Sequence, residues 1–141
     1  MTRSAAAAGP PRHVLYATAA RSLSGGSRQL VHNVRALRAL GLRVTVMAPD
    51  GSPVARAAAD AGAVLAEWPA GRGLLARARA LHVLAQAGRV DVVHAFHTHA
   101  VKAAVLARLR GLRARVLLNR GVVTAANPLW GVFVRIADGA I

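Results

Sequence analysis

The chain has 141 residues, and 55% of them are hydrophobic, which suits one globular domain with a substantial core. Its 19 basic and 5 acidic residues give a formal net charge of +14, and every basic residue except Lys102 is Arg. The apolar content excludes a disordered basic tail. The absence of Cys excludes a disulfide scaffold and a Cys-based metal site. No apolar stretch reaches the roughly 18–20 residues of a transmembrane helix.

The N-terminus differs in composition from the rest of the chain. Residues 1–12 contain a run of four Ala and lack the apolar stretch of about 7–15 residues found in a signal peptide. We therefore predict a disordered leader over residues 1–12 and a domain over residues 13–141.

Extended apolar runs predict five β-strands, at residues 13–18, 43–48, 63–67, 90–95 and 115–119. Val and Leu dominate these runs without strict alternation, which is typical of parallel strands that are covered on both faces. Four glycines each follow a helical pattern and predict left-handed helix caps: Gly41, Gly62, Gly88 and Gly111.

Helical periodicity fills the segments between the strands. Helices are predicted over residues 27–40 and 52–61, and in two further stretches near residues 74–85 and 101–109. Their expected buried positions are Leu30, Val34 and Leu37, then Leu74, Ala78, Leu81 and Ala85, then Val101, Val105 and Leu109. This alternation predicts an α/β fold with a Rossmann-like, doubly wound parallel sheet.

The end of the chain carries a further signal. A helical stretch at residues 128–135 leads into residues 137–141, which resemble the entry into a sixth strand. Because a complete domain rarely ends inside a strand, we expect a truncated chain.

Polar residues and glycines follow the predicted strands, and in such sheets ligands bind outside the carboxyl ends of the strands. Gly25 and Gly26 follow the first strand, where backbone N–H groups can approach an anion. A plain loop is the alternative. Arg120 follows the fifth strand and can form a bidentate pair with a phosphate or carboxylate, or can simply be solvated.

Three histidines crowd the end of the fourth strand. His94, His97 and His99 could ligate zinc, but the nearby sequence offers no carboxylate beyond Asp91, and we predict no metal site. Alternatively, His94 is a hydrogen-bonded sheet residue, and His97 and His99 are polar residues of the rim. Binding of a sugar or phosphate by one of them is the functional alternative.

Motifs of common enzymes are missing from the sequence. It contains no dinucleotide-binding G-x-G-x-x-G, no phosphate-binding loop of the Walker type and no G-x-S-x-G nucleophile. With one Glu and four Asp, it also offers no convincing pair of catalytic carboxylates. Catalytic residues are therefore left unassigned, and no cofactor is predicted.

Three segments together resemble the N-terminal domain of family 4 retaining glycosyltransferases: residues 24–30, 37–46 and 91–95. The resemblance extends from about His13 to Ile141. Members of this family have the GT-B fold, in which two Rossmann-like domains face a cleft. The resemblance implies that Gly25 and Gly26 approach the donor diphosphate or the acceptor, and that His94 lines the cleft.

Two positions depart from the family pattern. Phe96 stands where a second His is common, and His97 follows one residue later. Arg120 stands where the family commonly has His before Gly, so the resemblance implies a cleft-lining rather than a catalytic Arg120. Residues 119–122 resemble a variant of bacterial members that build lipopolysaccharide or other surface glycans.

The resemblance implies transfer of a sugar from a nucleotide-sugar donor to a glycan or lipid-linked acceptor. The expected substrate-binding residues are Gly25, Gly26, His94, His97 and Arg120. The family binds its donor mainly through a C-terminal domain that these residues do not include, so we expect the chain to be inactive alone. We expect a cytoplasmic protein, peripheral at the inner face of the membrane.

Three arginines of the predicted first helix suggest how such membrane contact is made. Arg28, Arg35 and Arg38 can form a basic face toward anionic lipid, or can form an ordinary solvated face.

Two other classes of protein fit parts of the sequence. The charge of +14 suggests a nucleic-acid-binding domain, but Arg is spread along the chain and only 4% of residues are aromatic, so we predict no nucleic-acid partner. Half of a sugar-nucleotide epimerase would present a similar rim. A downstream domain with paired glutamates would identify the transferase.

Overall fold

The structure, a computed structural model, describes residues 9–119 and 128–141. Its elements alternate along the chain: β1 (His13–Thr18), α1 (Gly25–Ala39), β2 (Arg43–Ala48), α2 (Pro53–Asp60), β3 (Val64–Glu67), α3 (Leu74–Ala87), β4 (Val92–Phe96), α4 (His97–Leu109), β5 (Arg115–Asn119), α5 (Pro128–Ile136) and β6 (Gly139–Ala140). The strands form one sheet in the order β3-β2-β1-β4-β5-β6. Every pairing is parallel, which confirms the predicted doubly wound, Rossmann-like α/β fold.

Helices cover both faces of the sheet, and each face has its own apolar core. On one face, Leu30 of α1 and Val54 of α2 pack with Tyr16 and Val46. On the other face, α3, α4 and α5 pack over a core that includes Leu15, Val93 and Val116. The chain thus leaves β1 for α1 on one face and leaves β4 for α4 on the opposite face.

Several predicted boundaries shift in the structure. The first helix begins at Gly25, two residues before its predicted start. The fourth strand is Val92–Phe96 rather than 90–95, because the amide of Val90 donates to the carbonyl of Ala85 and closes α3. The third strand begins at Val64 rather than at residue 63.

The predicted buried faces hold for most positions. Leu30, Val34, Ala78, Leu81, Ala85, Val101 and Val105 are buried. Leu74 and Leu109 are 43% and 64% exposed, so the prediction that they belong to the core is wrong. Each lies at the end of its helix, beyond the part that faces the sheet.

Three of the four predicted glycine caps adopt the left-handed conformation, with φ of +84° at Gly41, +101° at Gly62 and +99° at Gly111. The prediction for Gly88 is wrong, because its φ is −82°. The left-handed residue is instead Arg89, with a φ of +49°. Helix α3 ends at Ala87 with Gly88 as its C-cap, so Arg89, the residue after the cap, takes the left-handed position.

The predicted leader falls mostly on residues 1–8, outside the described residues, and residues 9–12 are exposed and precede β1. At the other end, Gly139 and Ala140 pair with β5, which confirms the sixth strand. Within residues 9–119 and 128–141, no helix has the length and apolar character needed to cross a membrane.

Candidate functional site

The order of the strands reverses between β1 and β4, so the connections to α1 and α4 run to opposite faces and leave a crevice between them at the carboxyl ends of these two strands. These strands are neighbours, with Thr18 opposite Phe96 at the last paired position. Their connections to α1 and α4 diverge to opposite faces, which is the arrangement at which open α/β sheets bind ligands.

His97 occupies this crevice as the first residue of α4. Its Nδ1 lies 2.8 Å from Oγ1 of Thr18, and the same hydroxyl oxygen accepts the N–H of Ala20 at 3.0 Å. The hydroxyl can therefore donate to Nδ1, which leaves the ring proton on Nε2. Burial lowers the pKa of His97 and favours this neutral ring. His97 also has a φ of +69°, a conformation that non-glycine residues rarely adopt.

Gly26 lies directly against the ring of His97. A Cβ at Gly26 would lie 2.8 Å from Nε2 and 3.3 Å from Cε1 of His97, whereas a Cβ at Gly25 would meet nothing within 4 Å. Both glycines belong to the first turn of α1 rather than to the loop predicted for them. The first turn of α1 contains no acidic residue, and Ser24 makes no side-chain capping bond in the described structure. The site therefore combines backbone N–H groups of α1 with the imidazole of His97.

His94 is in β4, two residues before the strand ends at the crevice, and it is buried. Its ring packs between those of Tyr16 and Phe96, with centroid distances of 5.3 Å and 4.7 Å. Its Nε2 is buried and has no hydrogen-bond partner among the described residues. The hydrogen-bonded sheet histidine that the sequence suggested is therefore not found at this nitrogen. Desolvation lowers the pKa of His94 to about 4, so the ring is neutral near pH 7.

His99 points away from His97, toward α3. Its Nδ1 lies 3.3 Å from Nη1 of Arg77, and the two histidines do not converge on one point. Asp91 is at the far end of β4, where its Oδ2 accepts the backbone N–H groups of Arg12 and His13. The described part of the chain holds no group of three potential metal-ligating residues.

The structure thus brings together two of the predicted substrate-binding residues, Gly26 and His97, with Gly25 one residue away. His94 is separated from His97 by the ring of Phe96, which contacts both. Arg120 lies outside the described residues. Thr18 was not identified from the sequence. The one feature that could have indicated it is that a polar residue ends an otherwise largely apolar strand.

Comparison with known proteins identifies the family of the chain and the solved structures that share its fold. The family of glycosyl transferase 4-like domains matches residues 24–136. No curated protein matches the chain significantly. Among solved structures, MurG from Acinetobacter baumannii is 19% identical, with a TM-score of 0.70 over 92% of this chain and 40% of that one.

Two further structures show how widely this fold is shared. HepE from Anabaena, solved in complex with UDP and glucose, is 13% identical, with a TM-score of 0.66 over 89% of this chain and 35% of that one. A putative UDP-N-acetylglucosamine 2-epimerase from Listeria monocytogenes is 14% identical, with a TM-score of 0.66 over 94% and 39%. The fold alone therefore does not separate a transferase from an epimerase. This chain spans at most 40% of the length of these three structures.

Proposed function

The chain belongs to the family of glycosyl transferase 4-like domains. We therefore propose that it forms the acceptor-side domain of a glycosyltransferase. The reaction moves a sugar from a nucleotide-sugar donor to a glycan or lipid-linked acceptor. The family match favours this function over the epimerase, which shares the fold.

One observation carries the proposal: the ring of His97 lies against the first turn of α1 at the point where the strand order reverses. The Nε2–H of His97 can donate to a sugar hydroxyl or a phosphate oxygen. The first N–H groups of α1 have no partners within the helix, and they favour an anion such as a diphosphate. Gly26 allows the two groups to approach each other.

The second part of the proposal concerns the acceptor and the part of the cell in which the reaction takes place. We place the reaction in bacterial surface-glycan synthesis, such as that of lipopolysaccharide, on the resemblance of residues 119–122. The protein then works at the cytoplasmic face of the membrane, with the α1 arginines toward anionic lipid. Flotation with anionic liposomes tests this contact, and unchanged binding after Arg28, Arg35 and Arg38 all become Gln would contradict it.

The central test measures sugar transfer by the complete product of the reading frame that carries this domain. Radiolabelled nucleotide sugars are the donors, and a membrane extract supplies acceptors. We expect His97→Ala to lower kcat/KM by roughly tenfold or more, because a hydrogen bond to the substrate is lost, and His32→Ala, an exposed change on α1, to leave it unchanged. Equal activity of the two variants would remove His97 from the site.

Two further expectations follow from the same proposal. The 141-residue chain alone should transfer no sugar, because it spans at most 40% of the length of its structural neighbours. Robust transfer by the chain alone would contradict this expectation. Arg120→Ala should weaken binding of an anionic substrate by roughly 1.5–3 kcal/mol, the range for a hydrogen bond to a charged group.

A further inference from the structure

A second group of polar side chains lies at the same edge of the sheet as the crevice, and the proposed function does not use it. The guanidinium carbon of Arg77 in α3 lies 5.6 Å from the ring centroid of Trp68, a distance at which cations and aromatic rings attract. Trp68 follows β3 and is only 2% exposed, so it forms a fixed platform. Nη1 of Arg77 also contacts Nδ1 of His99 at 3.3 Å. Two different elements therefore hold this guanidinium in place.

No carboxylate of the described residues pairs with the half-buried charge of Arg77. All five carboxylate residues of the chain lie in the described part: Asp50, Asp60, Glu67, Asp91 and Asp138. Within residues 9–119 and 128–141, the single salt bridge joins Arg108 to Asp138. Glu67 precedes Trp68 but is on the opposite face of the sheet, since Ala66 and Trp68 both pack into the core beneath α3 and α4.

The hydrogen bonds of Arg77 are incomplete as well. Its Nε is buried and finds no acceptor among the described residues. Its contact with His99 uses an imidazole nitrogen, which supplies no negative charge to balance the guanidinium. Charges that leave water usually gain an oppositely charged partner, and the part of the chain that the structure describes supplies none to Arg77.

We propose that Arg77 and His99 form an anion subsite that takes a phosphoryl group of the acceptor, an inference that rests on the proposed function. A planar guanidinium matches two phosphate oxygens, and the phosphate supplies the missing negative charge. With Nδ1 of His99 accepting from Arg77, Nε2 carries the ring proton and is a further donor. His97 and His99 are two residues apart in the first turn of α4 and about 200° apart around the helix, so the subsite and the crevice lie at the same end of α4 and use different ligand atoms.

The experiment uses the 141-residue chain with Trp130→Phe, which leaves Trp68 as the only Trp fluorophore. Inorganic phosphate is titrated at constant ionic strength, and the fluorescence of Trp68 reports binding beside the stacked guanidinium. We expect Arg77→Gln to weaken phosphate binding roughly tenfold or more and Arg77→Lys to weaken it less. Arg79→Gln removes the same charge from an exposed position of α3 and should leave binding unchanged. Equal binding by the Arg77→Gln and Arg79→Gln variants would overturn the proposal.

A second arm identifies the source of the phosphate. Phosphatidylcholine vesicles with and without phosphatidylglycerol replace inorganic phosphate. An Arg77-dependent fluorescence response to the anionic vesicles identifies a lipid headgroup, whereas a response to inorganic phosphate alone identifies a water-soluble phosphate ester. Because this experiment measures binding without sugar transfer, its failure is distinguishable from failure of the His97 test.

Discussion

The imidazole of His97 fills the space that a side chain at Gly26 would need, since a Cβ there would lie 2.8 Å from Nε2. The ring cannot simply swing aside without cost, because Thr18 holds its Nδ1 and the backbone of His97 is in the left-handed region. Gly26 is thus required by packing within the domain, rather than only by the approach of a ligand phosphate as the sequence suggested.

This relationship predicts opposite effects at two adjacent glycines. Gly26→Ala should destabilise the domain by roughly 1–3 kcal/mol, because the added methyl group overpacks against the ring of His97. Gly25→Ala meets no neighbour and should stabilise the domain by up to about 1 kcal/mol, since Ala favours helix more than Gly does. Urea denaturation measures both changes.

The double variant tests the cause. Replacing His97 with Ala should remove most of the penalty of Gly26→Ala, which gives a favourable coupling energy in a double-mutant cycle. If the penalty is the same with and without His97, the ring is not what excludes a side chain at Gly26.

His94 predicts a loss of stability in mild acid. Its pKa is about 4 in the folded protein against an ordinary value of 6.5, so the unfolded state binds more protons between these pH values. The free energy of unfolding should therefore fall as the pH drops from about 6.5 to 4, with a total contribution of roughly 3 kcal/mol. His97, whose pKa is also lowered, acts in the same direction.

Denaturation of the wild type and of His94→Leu across this pH range isolates the contribution of His94. The variant should lose most of the pH dependence, while carboxylates that titrate in the same range contribute equally to both proteins. Parallel stability curves for the two proteins would show that His94 does not carry the effect.

The sequence predicts the sheet well because each strand is an apolar run bounded by glycine and turn residues. It does not predict the start of α1, since two consecutive glycines have low helix propensity and the signal of a first helical turn is weak. The contact between Arg77 and His99 joins residues 22 positions apart. It depends on how α3 packs against α4, and no local pattern encodes that packing.

Asp91 anchors the start of β1, and its removal should destabilise the fold. Its Oδ2 accepts the N–H groups of Arg12 and His13 at 2.8 Å and 2.9 Å. Asp91→Ala should cost roughly 1.5–3 kcal/mol, because a part-buried amide loses a charged acceptor. Asp60→Ala is the control: Asp60 is exposed at the C-terminal end of α2, where a negative charge is unfavourable. A similar effect of both changes on urea denaturation would contradict the anchoring role.

Arg89 adopts the left-handed conformation that the glycine pattern predicted for Gly88. The amide of Gly88 donates to the carbonyl of Leu84, and a Cβ at Gly88 would lie 3.2 Å from both that carbonyl oxygen and Cε1 of His13. The ring of His13 is fixed there, since its Nδ1 contacts the Gly88 carbonyl and its Nε2 contacts Oγ1 of Thr45. Crowding therefore favours glycine at position 88, and Arg89 takes the left-handed turn with a φ of +49°.

Arg89→Gly should therefore stabilise the protein, because a residue without Cβ adopts this conformation without strain. The expected gain is roughly 1 kcal/mol, the cost of the left-handed region for a residue with a side chain, reduced by the greater freedom of Gly in the unfolded chain. Arg110→Gly is the matched control, since Arg110 also follows a helix and is exposed but has a φ of −94°. It removes the same charge and should be neutral or destabilising. If thermal melts show the same shift for both variants, the loss of charge rather than the relief of strain is the cause.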